Sequence, residues 1–239
     1  MKRAIAVLLL LAAPIAAKAS VLHWTTRLMG MNCDNHPISR SPKDSPRLTQ
    51  REEDRDVITP VLFTAERPFK SDGTLTLAVC NGDVQVEPSD SETLKITVQL
   101  NGPLHHEQTP RNYLQRFDAT PEKTVMLWKL PESAKPVFHV LVPRNAHLIL
   151  DLGKSELTVR GIHGEKQLNV GRGTARLYVQ PDNADFSQIS VDVAMGSFTD
   201  LRPGGKQNHK VPLHEEISGS GTAKATLNVA MGKAEIASE

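Results

Sequence analysis

The chain has 239 residues, of which 28 are Lys or Arg and 27 are Asp or Glu, so its formal net charge is +1. This near balance gives no electrostatic case for binding nucleic acid, which requires clustered basic side chains. Aromatic residues make up only 4% of the sequence. We therefore expect a core built mainly of Leu, Val and Ile.

Residues 1–19 have the features of a bacterial Sec-type signal peptide. Two basic residues precede an apolar run over residues 5–13, which is shorter than the roughly 20 residues that a membrane helix needs. An A-x-A cleavage site at residues 17–19 predicts a mature chain that begins at Ser20. The prediction is a periplasmic or secreted protein, with no transmembrane segment after signal cleavage.

The mature chain divides into two parts by composition. Residues 20–60 are rich in Pro and contain a run of six charged residues at 51–56, which predicts an irregular N-terminal arm that buries little surface. Residues 61–239 carry alternating apolar positions, which are typical of β-strands. We predict one all-β domain over residues 61–239.

A short phrase recurs in that domain: apolar, any, apolar, any, any, Gly. Apolar positions alternate up to Val79 and resume at Val84 with the opposite parity, which indicates a bend between them at Gly82. The spacing of the phrases favours a single-chain β-solenoid or β-helix-like stack of short strands with Gly corners. A hairpin meander or a β-sandwich is the alternative. The phrases end at Gly82, Gly153, Gly173, Gly196 and Gly232.

Other segments are predicted individually. Thr109-Pro110 is typical of a helix start, and apolar residues follow at helical spacing, which predicts one short helix near residues 110–117. Strands are predicted over residues 94–100, 124–130 and 137–142. Trp128, in the second of these, is expected to be a packing residue.

These phrases resemble the bacterial "putative adhesin" family of unknown function. The resemblance rests on LAVCNGDVQV at residues 77–86, FHVLVPRNA at 138–146 and LDLGKSELTVRGI at 150–162. It implies a β-solenoid of the cell envelope without known catalysis. The sequence departs from the family pattern at Cys80, where a small polar residue is usual, and in the Pro-rich arm.

Cys33 and Cys80 are the two cysteines of the chain. An even count in an oxidising compartment favours a disulfide between them. Neither cysteine belongs to a C-x-x-C motif, so we expect a structural bond rather than a redox-active one.

No residue pattern identifies a catalytic, cofactor-binding or metal site. His105-His106-Glu107 and His214-Glu215-Glu216 contain ligand types without a complete metal-binding motif. Asp151 and Asp192 are candidates for a carboxylate pair that cleaves glycosidic bonds. Asn169 and Asn228 occupy comparable positions, however, so we expect the four residues to form the outward polar half of strand alternation, on a solvated sheet face.

The sequence therefore predicts an exported, non-catalytic β-solenoid protein of the cell envelope, not an enzyme, that acts by adhesin-like surface contact or as a scaffold. Its expected partner is an envelope protein or a polysaccharide. Two alternatives stay open: a polysaccharide-active β-helix enzyme, and a periplasmic partner of a signalling or secretion system.

Overall fold

The computed structural model of the chain describes residues 62–102 and 110–239. The predicted signal peptide, the arm with Cys33, and His105-His106-Glu107 lie outside these residues. The described part is all-β, as the sequence predicted, with three short 3-10 turns at Pro110–Tyr113, Glu132–Ala134 and Pro181–Asn183. The strands are β1 (Leu62–Pro68), β2 (Thr74–Asn81), β3 (Asp83–Ser89), β4 (Thr93–Leu100), β5 (Leu114–Ala119), β6 (Lys123–Trp128), β7 (Pro136–Pro143), β8 (His147–Val159), β9 (Lys166–Val179), β10 (Phe186–Asp200), β11 (Gln207–Asn208), β12 (Leu213–Ser218) and β13 (Ala223–Ser238).

The strands form one sheet that bends at a corner. We call the part of the sheet before the corner the first wall and the part after it the second wall, and four long strands run through both. β8, β9, β13 and β10 lie side by side in parallel and run through both walls. In the first wall, β5, β6 and β2 continue the sheet beside β8, and β12 closes it beside β10. In the second wall, β1, β4, β7 and β3 continue it beside β8, and β11 lies beside β10.

The two walls meet at a corner where every strand reverses the parity of its inward side chains. In the inward alternation, Val79 is the last buried residue of β2 and Val84 is the first of β3. Both strands pair in parallel with β8 rather than with each other. The hairpin alternative at Asn81-Gly82 is therefore wrong. The same step of five residues separates the buried residues on either side of the corner in the long strands: Leu152 and Leu157, Val170 and Ala175, Val193 and Phe198, and Val229 and Ala234.

Glycine is required at the corner of β9, β10 and β13 because neighbouring main chains approach closely there. Gly232 has a φ of +141°, and a Cβ on it would lie 1.8 Å from the carbonyl oxygen of Gly173. A Cβ on Gly196 would lie 1.7 Å from the carbonyl oxygen of Gly232. L-residues with a Cβ rarely adopt such a φ, and no Cβ fits at these distances.

In β8 the corner residue is Ser155, not Gly153. Ser155 pairs with Gly173, and Gly153 lies two residues earlier in the strand. The Ser155 hydroxyl donates a hydrogen bond of 2.5 Å to the carbonyl oxygen of Gly82 on the adjacent chain. The prediction of a corner at Gly153 is wrong by two residues because the apolar phrase of β8 runs two residues longer than the others.

The parallel strands do not follow chain order. β13, the C-terminal strand, lies between β9 and β10 and pairs with both along nearly its whole length. The outer edge of β10 is covered by the short antiparallel strands β11 and β12, which protect the sheet from further pairing.

The predicted helix near residues 110–117 is wrong except for its first turn. Pro110–Tyr113 forms a 3-10 turn, and the chain then enters β5, which pairs with β6 in antiparallel orientation. Leu114 is buried against the core, and pairing with β6 satisfies its backbone. Tertiary pairing here outweighs a helical signal of only two turns.

The predicted strands at residues 94–100, 124–130 and 137–142 are confirmed as β4, β6 and β7. Trp128 is confirmed as a packing residue. It is fully buried and makes edge-on ring contacts with Phe63 at 5.0 Å and Phe138 at 5.9 Å. Because Phe63 and Phe138 belong to the second wall and Trp128 to the first, these contacts hold the two walls together.

We expect Gly232→Ala to lower the free energy of unfolding by several kcal/mol, since the added Cβ meets both a positive φ and a backbone oxygen; each effect costs on the order of 1–3 kcal/mol. Gly204→Ala is the matched control. Gly204 has a φ of +75° but no atom within 4 Å of the added Cβ, so it should lose only about 1 kcal/mol. Urea unfolding of the two variants measures the difference. Equal losses would show that close approach at the corner is not the constraint.

Candidate functional site

The polar residues that the sequence singled out come together in one row, which we call the polar row, on the outer face of the first wall. Asp151, Asn169, Asn228 and Asp192 lie in register on β8, β9, β13 and β10. The Asn169 amide donates to Asp151 at 2.6 Å, and the Asn228 amide donates to Asn169 at 2.7 Å. At the far end, His214 on β12 lies opposite Asp192, with Nδ1 and Oδ1 2.8 Å apart.

The row is not the solvated face that the sequence predicted. Asn169 is 0% exposed and Asn228 is 8% exposed. Buried amides are costly unless they are hydrogen-bonded, and each of these two donates to its neighbour in the row. The polar row therefore contains a chain of hydrogen bonds from Asn228 through Asn169 to Asp151, and a separate bond between Asp192 and His214.

The separation of the two carboxylates limits what the row can do chemically. Two strands, β9 and β13, lie between Asp151 and Asp192, so about three inter-strand steps separate them, on the order of 14 Å. Glycosidases hold their two acids about 5–9.5 Å apart. Asp151 and Asp192 thus do not form such a pair.

His214 on the edge strand β12 contacts Asp192 on β10 and, less closely, Glu216 on its own strand. Its Nδ1 lies 2.8 Å from Asp192, and its Nε2 lies 3.5 Å from Glu216. The hydrogen bond to Asp192, more than the other contacts, raises the pKa of His214 above its ordinary value of 6.5. The sequence cluster His214-Glu215-Glu216 thus acts in strand pairing.

A second feature is the ridge on the convex side of the corner, formed by Lys154, Arg172, Met231 and Met195 on four adjacent strands. The two methionines are 43% and 52% exposed, although most large apolar side chains of the domain are buried. On the second-wall side of the ridge, a groove of about 520 Å³ is lined by both acidic and basic side chains. In it, Lys154 contacts Glu132.

Sequence reasoning missed an ion pair on the outer face of the second wall. Glu235 is 5% exposed, and its carboxylate lies 2.5 Å from the Arg176 guanidinium on the neighbouring strand. This contact raises the pKa of Arg176. Each partner lies three residues after its corner glycine, so aligning the phrases on that glycine would have found the pair.

Lys166 is a buried lysine that the sequence did not single out. It is 3% exposed, donates to the carbonyl oxygen of Gly164 at 2.8 Å, and places its ammonium 4.3 Å from the centre of the Phe186 ring. Burial lowers the pKa of Lys166 from its ordinary 10.5 to about 7. Lys166 is the first residue of β9, and the two residues before it, Gly164 and Glu165, line a cavity of about 560 Å³.

Other predicted site residues have the following outcomes. Cys80 is buried at the end of β2; because Cys33 lies outside the described residues, the disulfide between them stays a prediction. Within residues 62–102 and 110–239, no three His, Cys, Asp or Glu side chains are placed to hold a metal ion. Among those same residues, no helix has the length and apolar character needed to cross a bilayer.

No protein-family model matches the sequence, and no curated protein matches it with significance. Among solved structures, the chain is similar to a "putative cell adhesion protein" from Clostridium sporogenes ATCC 15579, with a TM-score of 0.47 and 11% identity over 75% of this chain and 100% of that one. It is also similar to a "putative adhesin" from Parabacteroides merdae ATCC 43184, with a TM-score of 0.22 and 14% identity over 73% and 80% of the two chains. For another putative adhesin, from Bacteroides fragilis NCTC 9343, the TM-score is 0.25 and the identity is 9% over 73% of this chain and 96% of that one. These names match the family that the sequence phrases resemble, but likenesses this weak do not assign what the present chain does.

We expect Asp192→Asn to lower the pKa of His214, because the substitution removes the charged partner of its imidazolium. Glu216→Gln is the control and should lower that pKa less, since Glu216 is the more distant carboxylate. Histidine NMR signals followed against pH measure both shifts. An unchanged His214 pKa in Asp192→Asn would contradict the contact.

We also expect the free energy of unfolding, relative to that of Lys166→Met, to rise with pH between about 7 and about 10.5. In this window the unfolded chain keeps a proton on Lys166 that the folded chain has released, so stability rises by up to about 1.4 kcal/mol per pH unit. Urea unfolding of the protein and the variant at pH 7, 8 and 9 measures the slope. A stability difference that is constant over this range would show that Lys166 stays protonated in the fold.

Proposed function

We propose that the chain is an exported, non-catalytic, solenoid-like protein of the cell envelope that acts by adhesin-like surface contact or as a scaffold. The observation that carries this proposal is the polar row. Its Asn side chains bond across strands to Asp151 and to each other, and Asp192 bonds to His214, so these groups do not converge on a reacting atom. Enzyme sites instead bring a nucleophile, an acid or a base to within hydrogen-bond reach of one point.

The arrangement of the long strands supports the solenoid-like part of the proposal. Four parallel strands turn at one level, and the main chains nearly touch there. Stacks of this kind present long, regular faces to a partner. The insertion of β13 between β9 and β10 makes the stack differ from a simple chain-ordered solenoid.

The structure does not support the carboxylate pair on which the enzyme alternative depended. Asp151 and Asp192 are too far apart for a glycosidase pair, and each already has a bonding partner, Asn169 and His214 respectively. No described residue favours a signalling or secretion partner over a structural one, so the envelope contact is the function we propose.

The corner groove is the contact surface we propose for the envelope partner. It is concave, and Lys135, Lys154 and Arg172 line it together with Asp83 and Glu156. Mixed charges on a concave surface suit a polar partner such as an envelope polysaccharide or a protein surface. Export and the Cys33–Cys80 disulfide are parts of the same proposal and rest on the sequence.

We expect the protein expressed with its leader in its own bacterium to be recovered outside the cytoplasm with Ser20 as its first residue. Cell fractionation and N-terminal sequencing measure this. A protein recovered from the cytoplasm with Met1 intact would contradict export.

We expect the purified mature protein to be retained by envelope material of that bacterium, and Lys154→Glu combined with Arg172→Glu to reduce retention several-fold. Lys224→Glu is the matched control, because Lys224 is an exposed lysine of β13 that does not line the groove. Sedimentation with the envelope fraction measures retention. If wild type instead releases sugars from the polysaccharide and Asp151→Asn abolishes that release, the protein is an enzyme.

A further inference from the structure

Three of the four large apolar side chains that are exposed in the described part of the chain lie together at the corner. Met195 and Met231 pair in register on β10 and β13, and they are 52% and 43% exposed. The third is Val211, which is 47% exposed; the fourth, Leu201, lies apart, just after the last residue of β10. Single exposed apolar side chains are ordinary on a protein surface, but a group of them at one point indicates a contact surface.

Val211 reaches this point because the connection between β11 and β12 crosses the corner beside β10. The last residue of β11 pairs with Phe198, after the corner, and the first residue of β12 pairs with Val193, before it. The crossing segment, residues 209–212, therefore passes alongside the part of β10 that contains Met195. We call Val211 and the two methionines the apolar end of the ridge.

Basic side chains, without acidic ones, accompany the apolar end. Within two residues of the corner on β9, β10 and β13, the charged residues are Arg172 and Lys233, and the crossing segment adds Lys210 but no Asp or Glu. All three cations are exposed. Glu235 lies 3.6 Å from Lys233, but its carboxylate is buried and already paired with an arginine of β9. The apolar end is therefore surrounded by positive charge.

We propose that the ridge is a docking edge for the surface of an anionic phospholipid bilayer. The apolar end enters the boundary between headgroups and acyl chains, and Arg172, Lys233 and Lys210 contact the lipid phosphates. Interfacial binding grows with the apolar area buried and with the attraction between basic side chains and anionic lipid, and the ridge supplies both.

The convex shape of the ridge favours a bilayer over a second copy of the chain. A protruding row can enter the headgroup region, into which amphipathic elements penetrate by about 5–10 Å. Two copies would instead bring two convex, basic ridges together. They would repel each other and meet along a line, rather than over the roughly 1,600 Å² that a stable protein interface buries in total.

Sedimentation of the purified mature chain with lipid vesicles tests the proposal. We expect binding to vesicles of two thirds phosphatidylcholine and one third phosphatidylglycerol, and weaker binding to phosphatidylcholine alone. Met195→Gln combined with Met231→Gln should lower binding to the anionic vesicles about tenfold, because it removes the apolar term. Leu201→Gln is the matched control, since it removes the exposed apolar side chain outside the ridge, and it should bind as wild type does. No binding by wild type, or equal binding by all three proteins, would overturn the proposal.

Lysine acetylation of the wild-type protein locates the contact without any substitution. With a reagent that cannot cross the bilayer, the anionic vesicles should lower the labelling of Lys210 and Lys233 several-fold. Lys224 is the internal control, because it is exposed near the start of β13, away from the corner, and its labelling should not change. Mass spectrometry measures the labelling of each lysine. Equal protection of the three lysines, or protection of none, would contradict docking through the ridge.

Further measurements separate this proposal from the envelope contact through the corner groove. Neither methionine lines that groove, so lipid-free envelope polysaccharide should retain the double methionine variant as well as it retains wild type. If it retains neither while the vesicles bind wild type, the groove contact fails and the ridge proposal stands. Light scattering that shows a dimer for wild type and a monomer for the methionine variant would assign the ridge to a second copy and overturn the proposal.

Discussion

At the corner, the carbonyl oxygen of one strand occupies the place that a Cβ on its neighbour would fill. This holds from Ser155 to Gly173, from Gly173 to Gly232 and from Gly232 to Gly196. Since a shift of one residue would bring a side chain into that space, the close approach fixes the register of four parallel strands at once. The bend, the two walls and the rows of side chains on either side of the corner all follow from that register.

A fixed register turns equivalent positions in different strands into neighbours. The residues four before the corner become the polar row, and the residues three after it include Arg176 and Glu235. Cross-strand pairs of this kind contribute roughly 0.2–1 kcal/mol each. Bonds such as Asn228 to Asn169 also favour the correct register over slipped ones, because a slip would leave buried amides without partners.

How far the sequence predicted this architecture depends on whether a feature is local. The alternation of β2, β4 and β7, the parity reversal at Gly82 and the packing role of Trp128 are visible within a few residues, and they were predicted correctly. The position of β13 between β9 and β10 is not visible in the local sequence, since any of the repeated phrases could pair with any other. The corner at Ser155 was missed because its strand reaches the corner without glycine. The helix predicted near residue 110 was wrong because pairing with β6 outweighs a weak local preference. Within the candidate site, the row of Asp and Asn was predicted. The burial of Asn169 and Asn228 was not, because strand alternation gives the face on which a side chain lies but not how far it is buried.

That burial bears on where the protein meets its partner. A solvated row of Asp and Asn would offer a polysaccharide many hydrogen bonds, whereas a row whose two Asn side chains are buried and already hydrogen-bonded within the sheet offers few. The surface better suited to a polar partner is then the mixed-charge groove beyond the ridge. The ridge itself separates the two, with Lys154 and Arg172 placed to interact with either side.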